Sequence, residues 1–148
     1  MRRAAAILAL AATSCTHSQS EVSCAANLTG AAPAMPRILA LADPPPAALE
    51  AGFVLCSTRR DRLLAASAAL GAEGYSSYIG TADRGQCLRV ARTHEATAAA
   101  LEREIATMCR IAAAHSITYR HWQAEVGGKS VRLSGDRLTV DGKGQQID

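Results

Sequence analysis

The stretch HEATAAALEREIATMCRIAAAHSITYRHWQAEV, residues 94–126, decides how this chain folds. Leu101, Ile105, Met108 and Ala112 recur at steps of four, three and four, which sets them in one stripe along a helix. Thr93 and His94 precede Glu95, whose negative charge suits the positive end of a helix dipole, so the pattern predicts a helix over residues 95–115. After His115 the period changes to two. Trp122, Ala124 and Val126 then face one way, and His121, Gln123 and Glu125 the other. A long helix feeding a strand with the only Trp is a core-building unit.

Working outward, Phe53-Val54-Leu55-Cys56-Ser57 reads as a first strand. Residues 59–71 read as a helix with Leu63, Leu64, Ala68 and Leu70 on one broad face and Thr58 as its N-cap. Gly74-Tyr75-Ser76-Ser77-Tyr78-Ile79 is a second strand, residues 81–85 a polar turn, and residues 86–92 an alternating third strand. The order β-α-β-β-α-β predicts an α+β fold. Its expected form is a ferredoxin-like sandwich, a four-stranded antiparallel sheet with two helices on one face. Right-handed crossovers place the first strand between the third and the fourth. By parity Phe53, Leu55, Leu88, Val90 and Trp122 point towards the helices, and Cys56 and Cys87 towards the open face. Those two thiols fall at the same end of neighbouring strands, so Cys56–Cys87 is the expected disulfide, subject to bridging distance. Cys109, beside Met108, is expected as a buried thiol or as a partner of Cys24. Residues 127–148 read as a small terminal hairpin or a polar tail.

The N-terminus has a different character. Met1-Arg2-Arg3 followed by an apolar run to Ala12 has the layout of an export signal and is too short to span a bilayer. Ala12-Thr13-Ser14-Cys15 resembles a bacterial lipobox, with Ala12 where Leu is usual. Residues 1–14 are therefore expected to be a signal peptide of the lipoprotein type, and Cys15 the lipidated residue. Cleavage without lipid, giving a soluble periplasmic protein, is the alternative. Residues 15–52, rich in Ala and holding Pro33, Pro36 and Pro44-Pro45-Pro46, read as a semi-rigid tether in which Pro breaks any continuous helix. The domain proper is then 53–126.

The chain has 148 residues, a net charge of +3 and 3% aromatics. Removing Arg2 and Arg3 with the leader brings it near neutrality, so no broad field favours nucleic acid. Nucleic-acid binding through such a sheet also needs exposed aromatics on the central strands, where Cys87, Arg89 and Ala91 stand instead. Of five Cys, four remain if Cys15 carries lipid, an even number suited to an oxidising compartment. No C-x-x-C pair occurs, which argues against a redox motif or zinc knuckle. His94 and His115 stand at opposite ends of one predicted helix and cannot share a metal. Neither a catalytic residue, a cofactor nor a metal is expected. Arg89, Arg92 and Arg120 are the candidate protein-binding face, as a basic patch for an acidic partner.

The spacing Tyr119-x-x-Trp122-x-Ala124-x-Val126, after a helix ending Ala112-Ala113-Ala114-His115, resembles the ribonuclease E inhibitor RraB family. Leu70-x-x-x-Gly74-Tyr75 and Leu88-x-Val90-x-Arg92 fit the same pattern, so the resemblance covers residues 52–126, about half of the chain. Arg120-His121 replaces the Gly and acidic residue usual before the family's Trp. The resemblance implies a non-enzymatic domain that binds and restrains a protein partner, ribonuclease E itself if the chain is cytoplasmic. With an exported chain the partner is in the envelope, and Cys15 supplies a membrane anchor. A second resemblance, to SPOR peptidoglycan-binding repeats, rests on the same element order and on Gly74-Tyr75. The aromatic-rich first strand of those repeats is absent. Peptidoglycan binding and a purely structural envelope lipoprotein are the alternative functions.

Overall fold

The computed structural model describes residues 18–82 and 85–147. The expected signal segment 1–14 and Cys15 lie outside them. Ten elements follow in order: α1 (Ser18–Leu39), β1 (Ala48–Ser57), α2 (Arg60–Ala72), β2 (Ser76–Ala82), β3 (Gly85–Glu95), α3 (Ala98–His115), β4 (Thr118–Val126), β5 (Lys129–Ser134), β6 (Arg137–Val140) and β7 (Lys143–Gln146). The strands form one antiparallel sheet in the order β2-β3-β1-β4-β5-β6-β7. The fold is thus α+β. It is not the expected four-stranded sandwich with two helices, because both ends of the chain enlarge it.

At the C-terminal end, Gly127 and Gly128 adopt positive φ of 58° and 73° and return the chain from β4 into β5. Val131, Leu133 and Leu138 then continue the buried face, so residues 129–146 extend the sheet, as a hairpin with a third strand rather than a polar tail. The edge of β4, which four strands would have left open, is paired.

At the N-terminal end, the expected tether over 15–52 gives way to α1. Asn27, Gly30, Ala31, Ala34, Met35 and Ile38 are buried at alternating steps of three and one, the stripe of a docked helix. Pro33 and Pro36 lie inside this helix on its exposed side, near exposed Thr29 and Ala32, where water can satisfy the carbonyls that lose a helical partner. Packing of the small-residue stripe outweighs the prolines. Gly30 is required for the close approach, since a Cβ there would collide with the Gly135 carbonyl. Asn27 Oδ1 accepts a 2.8 Å hydrogen bond from the Gly135 amide at the same crossing. Cys24 of α1 is disulfide-bonded to Cys109 of α3, with 5.7 Å between Cα atoms.

Local signals explain the remaining boundaries. The helix expected from Glu95 starts three residues later, because β3 stays paired to β1 as far as Glu95 opposite Ala48. Thr97 is the N-cap, its hydroxyl accepting from the Ala100 amide at 3.1 Å. Ser116 in the left-handed region, at φ 52°, ends α3 after His115. In α2 the cap position is Arg59, without a side-chain cap bond, rather than Thr58. Leu63, Ala66 and Leu70 form its buried stripe, while Leu64 is 52% exposed.

One core joins all three helices to a single face of the sheet. Phe53 and Leu55 of β1, Leu88 and Val90 of β3, and Trp122 of β4 meet Met35, Ile38, Leu63, Leu101, Ile105 and Met108. The register slips between Val54, opposite His121, and Leu55, opposite Tyr119, so Arg120 is the extra residue of a β-bulge. The bulge lets Tyr119 and Trp122 both face inward despite their unequal parity.

Candidate functional site

The opposite face of the sheet is covered by none of the described helices, and it gathers most of the residues with a claim on function. Antiparallel register sets them in rows. At the level of Gly52 stand Ser76, Ala91, Gln123, Arg132, Thr139 and Gly144. One step towards the C-terminal end of β1 come Tyr78, Arg89, Val54 and His121, with Arg120 in the bulge. Arg137 lies on the same face of β6, opposite Gln146. One step the other way come Thr93, Glu50, Glu125, Ser130 and Asp141, with Glu95 just beyond. Arg89, Arg120 and Arg137 therefore lie to one side of the Gly52 row and the four carboxylates to the other, with Arg132 in the row itself. None of the eight makes an ion pair among the described residues.

His121 sits half-buried within the Arg band, its Nε2 3.2 Å from Gln123 Oε1. Burial first, and then Arg132, pulls its pKa down to about 4, with Arg89 and Arg120 adding to the shift and the Gln123 bond opposing it. His121 is neutral at pH 7. The unfolded chain accepts a proton near pH 6.5 that the folded chain refuses until about pH 4. Stability from this group is therefore complete above pH 6.5 and is lost as pH falls through that window. The expected loss between pH 7 and 4.5 is roughly 2 kcal/mol after allowance for partial exposure. Urea unfolding at the two pH values should show a smaller loss in His121→Gln. An unchanged loss in that variant would assign the acid sensitivity to other groups.

Arg89 and Arg120 of the expected binding patch are on this face. Arg92 is not, which corrects its assignment. It shares parity with Leu88 and Val90 and turns to the helix side, with its guanidinium carbon 4.4 Å from the Tyr75 ring centroid. Its Nε is 3.5 Å from Glu104, and it donates to the Glu73 carbonyl at 3.1 Å. Tyr75 donates a short hydrogen bond to buried Glu104, and burial followed by that carboxylate pushes the phenol up to about 12. Arg110 pairs with Glu73 beside them. This network closes on itself and locks α3 to the sheet.

Cys56 and Cys87 lie opposite one another in the β1–β3 ladder and are disulfide-bonded, with Cα atoms 4.0 Å apart. The bridge lies on the open face beyond Val54. With Cys24–Cys109, every Cys among the described residues is oxidised, so none offers a thiolate. No group of three or more His, Cys, Asp or Glu among them has the geometry of a metal site. No described helix is long and apolar enough to cross a membrane.

Two features are not apparent from the sequence pattern. Arg132 and Arg137 belong to the basic band, and alternation with Val131, Leu133 and Leu138 assigns them to the open face only once the terminal hairpin is joined to the sheet. His94 is the acceptor for the Trp122 indole N–H, at 3.2 Å. An indole only donates, so Nε2 carries no proton, and Nδ1–H donates to the Glu95 carbonyl at 2.7 Å. The pair is buried and structural.

Comparison with protein-family models, curated proteins and solved structures finds no match to the chain. The charged open face is therefore read on its own physical terms.

Proposed function

We propose that this chain is an exported, non-catalytic protein-binding domain, resembling the RraB type, that docks through the open face of its sheet. The observation that carries the reading is the segregation of eight charges, none ion-paired among the described residues, on the one sheet face without a described helix over it. Exposed Arg in a group favours recognition of carboxylates on a folded surface. The face holds two open depressions, one of about 400 Å³ beside Glu50, Ser76, Ala91 and Thr93 and one of about 240 Å³ beside Gly52, Gln123, Glu125 and Ser130, and neither is an enclosed apolar cleft. Such a surface suits a macromolecule better than a small substrate.

Strands β1–β4 with α2 and α3 are read as a ferredoxin-like unit of the kind the resemblance implies, onto which α1 and β5–β7 have been added. Export is supported by the two disulfides, which persist in oxidising compartments. Lipid at Cys15 would then hold the domain at a membrane.

A photo-crosslinking residue in place of Gln123, in the native host, tests the docking face against the same residue in place of Leu64 on α2. Protein adducts from position 123 that disappear in Arg120→Glu/Arg132→Glu are expected. Adducts from position 64 alone would overturn the reading. Retention on purified sacculi, indifferent to the charge reversals, would favour peptidoglycan binding. Intact mass of the native protein tests export, through loss of residues 1–14 and acyl chains on Cys15.

A further inference from the structure

The open face carries a pattern, not merely a charge. Glu50, Glu125, Asp141 and Glu95 form a band across one end, Arg89, Arg120 and Arg137 form a parallel band on the far side of the Gly52 row, and Arg132 stands in that row between them. A uniformly acidic partner would meet the Arg band and be repelled by the carboxylates two steps away. Nucleic acid would meet the same conflict. The partner that satisfies both bands must carry the same two bands in reverse order, and this chain does so itself.

We propose that the open face docks a second copy of this chain, sheet against sheet, about a two-fold axis lying across the strands. The inference rests on the reading of that face as a protein-docking surface and names its occupant. Of the two in-plane axes, this one sets the carboxylate row of each copy against the Arg row of the other. A two-fold axis along the strands would set carboxylates on carboxylates and Arg on Arg. An axis across the strands, through the Gly52 row, brings Glu125 of each copy towards Arg120 of the other. It also brings Asp141 towards the other copy's Arg137. Arg132 stands on the axis row and so faces its counterpart in the other copy; the two side chains avoid each other by turning off the axis, each to the other copy's Glu125 one strand away.

The row on the axis suits close approach. Ser76, Ala91, Gly52, Thr139 and Gly144 are all small, and Gln123 and Arg132 are its long, flexible members. Sheets pack face to face at about 10 Å, a separation such a row admits. Seven strands about 4.8 Å apart and some 20 Å of strand length give a face of roughly 600 Å² in projection. Side-chain relief raises this towards the ~800 Å² per partner of a standard interface. Few apolar groups contribute, so the association is governed by charge. It is accordingly weakened by salt.

The experiment is sedimentation of the purified oxidised protein, with two charge-reversal variants. Wild type is expected at twice the mass of one chain, with a dissociation constant rising about tenfold or more between 0.05 and 0.5 M NaCl. Glu50→Lys/Glu125→Lys and Arg120→Glu/Arg132→Glu should each be monomeric. Mixed in equal amounts they should form a heterodimer, since each reversed band then faces its complement. Recovery on mixing also shows that both variants are folded.

A wild type that stays monomeric at about 1 mM, far above the concentrations at which standard-size interfaces associate, would overturn the proposal. So would a wild-type dimer whose charge-reversed variants remain dimeric alone, since another face would be in use. Crosslinking from position 123 separates this from the broader reading. Adducts only with other proteins remove the dimer and keep the docking face, whereas no adduct of any kind removes both.

Discussion

Trp122→Ala is expected to lower stability by about 4 kcal/mol, the range for emptying a buried aromatic site. Trp122 is fully buried at the centre of the sheet, opposite Phe53 on β1 and Leu133 on β5. The mutation opens a cavity between the sheet and the helices, and it leaves the His94 Nε2 acceptor without its donor. With 3% aromatics, the core offers few large side chains to collapse into that space. Trp122→Phe separates the two contributions, because it keeps a ring and loses only the N–H. Its cost should be about 1–2 kcal/mol, the penalty for a buried acceptor left unpaired plus a small volume change. Urea unfolding followed by circular dichroism measures both. If Phe costs as much as Ala, the hydrogen bond to His94 outweighs the packing, and the ranking of the two contributions is reversed.

Removing the Cys24–Cys109 bridge as Cys24→Ala/Cys109→Ala is expected to cost about 3–4 kcal/mol, somewhat more than removing Cys56–Cys87. The first bridge closes a sequence separation of 85 and the second one of 31, so the first restricts the unfolded chain more. The two also differ in what they hold. Cys56–Cys87 staples strands already paired along ten residues, whereas Cys24–Cys109 fastens a helix whose buried stripe has only two large apolar side chains, Met35 and Ile38. Hydrogen exchange should therefore show α1 losing protection ahead of β1, β3 and β4 in the first variant. Uniform loss across the domain would mean that α1 is held by packing as firmly as the sheet. Reduction of the intact protein should reproduce the sum of both effects.

Periodicity carried the middle of the chain. Steps of three and four at Leu101, Ile105, Met108 and Ala112, and of two at Trp122, Ala124 and Val126, are direct consequences of helix and strand geometry. Parity on β1 and β3 likewise puts Cys56 and Cys87 side by side, where the structure has them bonded. The same parity, followed two residues past Val90, places Arg92 on the helix side. At that position alternation is the better guide than basic character, because the Tyr75 ring and Glu104 satisfy the buried-side guanidinium.

The helix α1 was not legible for a different reason. Proline is unfavourable inside an isolated helix, and a stripe of Asn27, Gly30, Ala31 and Ala34 with only Met35 and Ile38 as large apolar members carries little hydrophobic signal. The stripe becomes decisive only when α3 and the β5–β6 turn exist for it to pack against, with Gly30 passing the Gly135 carbonyl. The open-face bands share that dependence. Glu50, Arg89, Glu125, Arg132 and Asp141 are scattered along the chain, and only strand register sorts them by charge to the two sides of one face.

The sequence by itself therefore determined the α+β class, the β1–β4 order of elements and the buried side of β1, of β3 as far as Val90 and of β4 from Trp122, because these follow from local period. The tertiary structure alone decided the docked α1, the seven-stranded extent of the sheet and the paired charge bands. Each of those depends on contacts between residues far apart in the chain, whose energies no local pattern encodes.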